Sequence, residues 1–558
     1  MRTINPYLLW LLVAVTSIVF ATHIEAKSSE TVHIQTKHSF DVLKYRLEIN
    51  LVQCFQSPYP RTFNASEIIT FKADSALGEI KLDANAQSLT IDSVRMAGIS
   101  WSHQNNILKI ILDRIYKPGE VVNVRICYRH KNAEDNGLFV STGYVYTDSP
   151  PEGTRRWLPC WDKPSDKATW EVLATVPLSV RLGSTGTLAD STISGDAILY
   201  HWISNNPVST YLICFTSSIN FEVQTMYWHK LAHPADSIPI RIYFKPGEDL
   251  SVFKSVIFRL TNFYSEKFGD YPFEKVGFAT LNNSFQWGGM ENQTMVNLMP
   301  GGYSDANLIA HEHSHQWFGD LITCGSWADI WLNEGFGTYC QNLWVEHVSG
   351  TDAYLKSMKS LASYYFEHNP GWPLYHAAWA NETPSSHTLY NQAITYNKGA
   401  CVLFQLRYVL GDSIFFRVMH AYATDTNLIF KNAFTEDFAQ ITNRVSGKNM
   451  DWFFEEWVYK PNHPVYQNSY EIINPVKNTW KVSIDIAQTQ SDPWFYKMPV
   501  QFQINFDDGT DTIVRVMNTE NHQKFKFTFN KRPKEVVFDP FSNILLKQAI
   551  TINTGKQE

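Results

Sequence analysis

Apolar and polar positions along the chain follow one period, change to another, and change back. Tyr45, Leu47, Ile49 and Leu51 alternate with Lys44, Arg46, Glu48 and Asn50. A period of two gives a strand one face in a core and the other in water. Ile107–Leu112, Val121–Cys127 and Glu171–Val176 are further short β-rich runs, parted by Pro118-Gly119, Asn136-Gly137 and Pro150-Pro151-Glu152-Gly153. Such punctuation marks turns between strands. Residues 27–224 are therefore expected to form an antiparallel β domain.

Between about 225 and 235 the period lengthens. Ile238–Phe244 reads as one more strand, and Val252–Phe268 then places Val252, Val256, Leu260 and Phe263 on one helix face. Gly269-Asp270-Tyr271-Pro272 ends that helix. Phe278–Asn282 and Met295–Met299 are strands flanking Gly288-Gly289-Met290-Glu291-Asn292. Helices are expected over 304–318, 332–348, 352–366, 393–410, 411–423, 435–445 and 450–459, the first with Ser304 as N-cap and Asp305 in its first turn. Alternation returns from 465 to 558 in Trp480–Ile486, Met498–Ile504, Asp511–Val516 and Lys524–Phe529, with Asp507-Asp508-Gly509 as a hairpin turn. Val536–Pro540 closes a small β-sandwich. The fold class is α+β multidomain: a β domain, a mainly helical domain over 225–464 and the sandwich.

Composition adds bounds. A chain of 558 residues suggests three or four domains, and 44% apolar content supplies their cores. Charged residues are 18%, which argues against extended disorder. Net charge is −7 with no strong basic run, so no nucleic-acid partner is expected. Arg2 precedes an uncharged apolar run, Tyr7–Ala21, too short for a comfortable membrane span and suited to a signal-peptide core. Residues 1–26 are expected to be that signal, cleaved after Ala21 or Ala26, with an uncleaved anchor as the alternative. The mature chain is then exported, periplasmic or secreted, with no stable membrane span. Cysteines 54, 127, 160, 214, 324, 340 and 401 include no C-x-x-C pair. Disulfides and buried free thiols are both open to them.

The candidate chemistry lies on the helix expected over 304–318. His311-Glu312-His313-Ser314-His315 puts two imidazoles four residues apart, on one helical face, a spacing that suits one tetrahedral Zn²⁺. Glu312 sits about 100° round the helix, badly placed as a ligand and well placed beside a water on the metal. With eighteen residues between it and His315, Glu334 stands among apolar Leu332, Phe336, Tyr339 and Leu343. A carboxylate in such company needs a partner. Two histidines and one glutamate leave a fourth position open, the catalytic rather than the structural pattern. One Zn²⁺ per chain is expected on His311, His315 and Glu334.

These residues, with Asn333-Glu334-Gly335-Phe336, resemble the gluzincin aminopeptidases, the family of aminopeptidase N and leukotriene hydrolase. Gly288-Gly289-Met290-Glu291-Asn292 is similar to that family's G-x-M-E-N signature, and Tyr396-Asn397-Lys398-Gly399 to its Y-x-K-G segment. Trp157-Leu158-Pro159-Cys160-Trp161-Asp162-Lys163-Pro164, followed by Ser165-Asp166-Lys167-Ala168, resembles its P-C-x-D-x-P-x-x-K-A stretch. The four motifs stand in the family's order between about 150 and 400. The resemblance implies a saddle-like amino-terminal β domain over a thermolysin-like catalytic domain. Members often continue into a large helical domain, whereas here the β-type pattern runs to the last residues.

The implied activity is removal of amino-terminal residues from peptides with a free amino terminus. Glu312 is the expected general base. Tyr396 is the expected oxyanion donor, by resemblance. Glu291 is expected to hold the substrate ammonium, with Gly288, Gly289 and Met290 letting the substrate backbone approach as an added strand. The sequence also departs from the pattern. Many relatives carry a second acid or amide ten residues before the cysteine of the Pro-Cys motif; Pro150 occupies that place, and Glu152 is the candidate replacement. His313 stands where an aliphatic residue is common and is expected to pack behind the metal face. His387, Asp320 and His420 are expected to be structural. The alternatives are an endopeptidase or epoxide hydrolase on the same zinc chemistry, or an inactive peptide-binding scaffold.

Overall fold

The computed structural model describes residues 38–476, 479–493 and 495–555. The expected signal peptide over 1–26 lies outside them. The alternation around Tyr45 builds the strand Phe40–Asn50, which buries Tyr45, Leu47 and Ile49. It sits near the middle of a seven-stranded sheet in the order Thr187–Ser194, Ala197–Ser209, Lys167–Pro177, Phe40–Asn50, Asn64–Ala73, Val121–His130, Leu89–Arg95. The expected antiparallel pairing holds with one exception. Phe40–Asn50 and Lys167–Pro177 run parallel, from Lys44 opposite Thr169 to Asn50 opposite Thr175. Parallel neighbours need a long crossover, and the strands between them in sequence supply it.

Strand Glu222–His229 runs across the expected 224/225 boundary and pairs with Ser237–Phe244, opening a second, five-stranded sheet. Val276–Thr280 and Val296–Leu298 continue that sheet, and Gly289–Met290 forms its edge. Helix Ser251–Phe268 packs on it, with Phe253 against Phe278 at 5.0 Å between ring centroids.

The helix bearing His311 spans Ala306–Ser314, shorter than the expected 304–318. Its N-cap is Asp305, not Ser304: the Asp305 carboxylate accepts from the Asn307 and Leu308 amides at 2.9 and 3.0 Å. Ser304 instead closes a preceding 3₁₀ turn, Gly302–Ser304. A carboxylate satisfies two orphan N–H groups and complements the helix dipole better than a hydroxyl. His315 keeps helical angles just past the helix end, and the chain turns away at Gly319, φ 135°.

Trp331–His368 is one helical run interrupted at Gly350, φ 83°, so the helices expected over 332–348 and 352–366 meet end to end. The segment expected as one helix over 393–410 is a π-helical stretch, Gln392–Lys398, leading into an α-helix, Gly399–Leu410. A π turn inserts one residue and rotates the side chains that follow it, and a periodicity of 3.6 does not reveal it. Helices Asp412–Ala423, Thr435–Ser446 and Asp451–Trp457 follow. The last strands form two sheets, one holding Gln523–Phe529, Thr479–Ile486, Val465–Val476 and Gln548–Asn553, the other Asp511–Asn518, Met498–Phe506 and Pro533–Phe538. One apolar core fills the amino-terminal β region and continues past residue 224 through Tyr243, Met290, Met295, Trp327 and Trp379. Another runs from the helices into the carboxy-terminal sheets, where Trp457 meets Tyr496 at 4.7 Å. All seven cysteines are free thiols, and all but Cys127 are buried.

Two packing details fix the interior. Gly335 lies against Gly399: a Cβ on Gly335 would stand 3.0 Å from the Gly399 Cα. Two helices therefore touch backbone to backbone, one just past Glu334 and the other just past Tyr396. Gly335→Ala is expected to destabilise the protein by about 1–3 kcal/mol through overpacking, read as a lower urea midpoint at unchanged slope.

His313 faces away from His311, fully buried, with Nε2 3.0 Å from Thr261 Oγ1 and its ring stacked on Tyr271 at 5.5 Å. Burial lowers its pKa from 6.5 to about 3. Between those values the unfolded imidazole takes a proton that the folded one refuses. This contribution to stability is thus complete above pH 6.5 and is lost as the pH falls towards 3. Thermal melts from pH 7.5 to 5.0 should show His313→Gln losing less stability than wild type, by up to about 1.4 kcal/mol per pH unit.

Candidate active site

His311 and His315 bring their Nε2 atoms to 3.1 Å from each other, and Glu334 Oε2 lies 3.6 and 3.4 Å from them. Among the described residues this is the one group of three or more metal-ligand side chains that converges in this way. The His315 imidazole is held from behind. His315 Nδ1 meets the Phe318 carbonyl at 3.0 Å, and Gln341 lines the cavity beside His311. A donated Nδ1–H leaves Nε2 as a lone-pair donor. Two lone pairs and a carboxylate aimed at one point fit a divalent cation. Gly337 makes room for them: a Cβ there would stand 2.7 Å from His315 Cε1 and Nε2 and 3.1 Å from His311 Cε1. Burial pushes the Glu334 pKa up, but the two imidazoles outweigh it and hold the carboxyl at about 2.

The expected site residues line one cavity of about 610 Å³: Gly288, Gly289, Met290, Glu291, His311, Glu312, His315, Glu334 and Tyr396. Glu312 is buried, and burial first, then Glu291 and Glu334, raises its pKa well above the ordinary range. A carboxyl of that kind is suited to receive a proton. It abuts the edge strand, where a Cβ on Gly289 would overlap its carboxyl group. Tyr396 sits in the π-helical stretch with its ring 6.2 Å from that of His311. Burial and the surrounding carboxylates hold the phenol protonated, as a hydrogen-bond donor must be. Glu291 is buried at the end of the edge strand, and burial raises its pKa to about 7 against the pull of His315.

Glu152 is not in this cavity. Its carboxylate binds Arg155, Lys163 at 2.7 Å, Thr383 and the Trp327 indole at 3.1 Å. Four donors leave it nothing to offer a substrate amine, so the expected replacement for the Pro150 position is corrected. The loop motifs have structural work as well. Lys167 donates to the Asp320 and Leu321 carbonyls at 2.6 and 3.1 Å, tying the first domain to the loop after His315. Asn333 donates to the Tyr211 hydroxyl at 2.8 Å.

The sequence reading missed Trp287, Thr338, Gln341, Asn342 and Tyr390, which also line the cavity. Gln341 carried a signal, since seven residues beyond Glu334 is two helical turns on the same face. Tyr390 carried none.

Comparison with known proteins agrees with this geometry. The model of the Peptidase M1 N-terminal domain matches residues 41–212, and that of the Peptidase family M1 domain matches residues 255–457. The chain is 28% identical over 370 residues to Aminopeptidase M1 of Arabidopsis thaliana, a match covering 61% of this chain and 39% of that protein. It is 27% identical over 453 residues to Aminopeptidase M1-C of Oryza sativa subsp. japonica, covering 72% and 48%. The match thus spans half or less of these relatives. Among solved structures, the M1 zinc metallopeptidase of Deinococcus radiodurans is similar at a TM-score of 0.65 and 25% identity, over 76% of this chain and 94% of that one. A mutant of it was solved with a Tyr-Ser-Ala substrate bound. With both family models matched in order, and the His-His-Glu cluster inside the second match, the chain belongs to peptidase family M1.

Proposed function

We propose that the chain is an exported zinc aminopeptidase that hydrolyses the amino-terminal peptide bond of peptides. The observation that carries this is the meeting in one cavity of a metal-ligand triad, a buried proton acceptor, a phenol donor and Glu291 beside an edge strand. The family implies one zinc ion, and His311, His315 and Glu334 would hold it. When bound, it would supply a Lewis acid that acidifies water and polarises the scissile carbonyl.

The chain's own residues account for the rest. Glu312 takes the water's proton and passes it to the leaving amine. Tyr396 donates its phenol hydrogen to the oxyanion that develops on the substrate carbonyl. Gly289–Met290 is an edge strand, with only Val296–Leu298 beside it, so an extended peptide can pair along its free side. Glu291 ends that track, and its carboxylate pairs with the ammonium and stops the peptide after one residue. The tripeptide bound to the Deinococcus radiodurans relative supports a peptide substrate. Export rests on the apolar run Tyr7–Ala21. No helix among the described residues is long and apolar enough to cross a membrane.

Two sets of variants test the chemistry. Glu312→Gln should retain zinc and lose most turnover, because an amide does not accept the proton. Tyr396→Phe should bind substrate nearly normally, with kcat lowered by roughly 10²–10³, the loss usual for one oxyanion donor. Wild-type turnover in Tyr396→Phe would remove that residue from the mechanism.

The third test separates an aminopeptidase from an endopeptidase. A charge-assisted pair to a substrate ammonium contributes about 1.5–3 kcal/mol, or roughly 10–150-fold in kcat/KM. Acetylating the substrate amine should cost at least that much. Glu291→Ala should lose most activity on free-amine peptides and narrow the gap to blocked ones. Equal cleavage of blocked and free peptides by the wild-type enzyme would instead make it an endopeptidase.

A further inference from the structure

A second cavity, of about 720 Å³, shares no lining residue with the one that holds the reacting groups. Residues of two sheets line it. The hairpin formed by Thr187–Ser194 and Ala197–Ser209 supplies Leu188, Ser191, Ile193, Ile198 and Tyr200. Strands Glu222–His229 and Ser237–Phe244 supply Glu222, Val223 and Arg241, and Leu178, Arg181 and Phe221 complete the lining.

The strand register explains its apolar side. Ile193 stands opposite Ile198 and Ser191 opposite Tyr200, so the four side chains share one face of the sheet. Ile198 and Tyr200 belong to the core of the β region, whereas Ile193 is 63% exposed. The apolar face thus runs out of the core and ends uncovered. Leu178, also exposed, is tied to the hairpin by its amide, which donates to the Asp196 carbonyl at 2.9 Å. The Tyr200 hydroxyl donates to the Val180 carbonyl at 3.1 Å and secures the same turn.

Positive charge lies in the same lining. The Arg241 guanidinium carbon is 5.5 Å from the Trp202 ring centroid and 5.6 Å from that of Tyr243. Its Nε is buried without a hydrogen-bond partner. Arg181 is exposed, and its Nη1 donates to the Leu178 and Val180 carbonyls at 3.3 and 3.5 Å. Among the described residues neither arginine forms an ion pair with a carboxylate, and Glu222 lines the cavity without reaching either. An arginine on open surface is answered by water. One whose Nε is closed off is answered by an acceptor brought to it.

We propose that this cavity binds a fatty acid, with its carboxylate on Arg241, its chain along Leu178, Ile193 and Phe221, and Arg181 adding to the charge that attracts it. A guanidinium presents a planar fork that matches a carboxylate. The volume is that of an ordinary small-molecule site. The carboxyl end of a peptide would share the head group, but its amides would need partners, and the lining offers them little beyond Ser191. A hydrocarbon chain needs none. The inference is independent of the aminopeptidase reading, since no residue of the first cavity takes part.

The test is calorimetric titration of the zinc-loaded protein with decanoate below its micelle concentration. One decanoate should bind per chain. Decanol, which lacks the charge, should bind at least about 10-fold more weakly, the scale of one charge-assisted hydrogen bond. Octanoate, two methylenes shorter, should bind about 5–10-fold more weakly. Arg241→Ala should weaken decanoate about 10-fold. Arg181→Ala, at an exposed position that leaves the thermal midpoint in place, should weaken it several-fold, and Ile193→Ser likewise. Glu222→Gln should tighten it, because a competing carboxylate is removed. Decanoate ligating the zinc instead would bind all four variants as it binds wild type, and that result overturns the proposal. Decanol binding as tightly as decanoate overturns it too, as does no binding at all. Acetyl-Leu-Leu binding more tightly than decanoate would replace the fatty acid with a peptide carboxyl end.

Discussion

Three carboxyl groups and two imidazoles share one buried space. Glu291, Glu312 and Glu334 are each at most 6% exposed, and His315 is 1% exposed. Like charges in a poorly solvated volume repel strongly and cannot all remain ionised without a countercharge. A dication held by His311, His315 and Glu334 would supply that countercharge. Glu334 sits where the imidazoles hold it ionised, whereas Glu312 and Glu291 are pushed toward protonation by burial. One volume thus contains an acid that stays charged and two that burial pushes toward protonation, a separation set by surroundings rather than by residue type.

Holding such a cluster demands a scaffold with little give, and the chain provides it with glycine. Gly337 clears the space the two imidazoles occupy, Gly289 lets the edge strand rest on Glu312, and Gly335 meets Gly399. The last contact brings the backbone of the helix bearing Glu334 against that of the segment bearing Tyr396. A side chain at any of these points would move two functional groups together. The Phe318 carbonyl behind His315 completes the arrangement.

Much of this was legible in the sequence because its period is strong. The alternation at Tyr45–Leu51, the spacing of His311 and His315 and the break between 348 and 352 each reflect one local rule. The parts that were not legible depend on groups distant in sequence or on backbone detail. Asp305 displaced Ser304 as the cap because of a reach of two hydrogen bonds. The π-helical turn at Gln392–Lys398 has no periodic signature. Glu152 stands near the right place along the chain, and only its four donors in space show that it serves the scaffold. Asp148 and Trp287 meet across 139 positions, a pairing no local pattern carries.

The bonds from Lys167 to the Asp320 and Leu321 carbonyls, from Trp327 to Glu152 and from Asn333 to Tyr211 bear on modularity. They join residues on the two sides of 224, at the loop after His315 and at the residue before Glu334. A fragment cut at that point would carry His311, Glu312, His315 and Glu334, yet would leave the Asp320 and Leu321 carbonyls and the Asn333 side chain without these partners. A cut near 224 therefore does not release a unit that recombination could move intact, even though His311, Glu312, His315, Glu334 and Tyr396 all lie on one side of it.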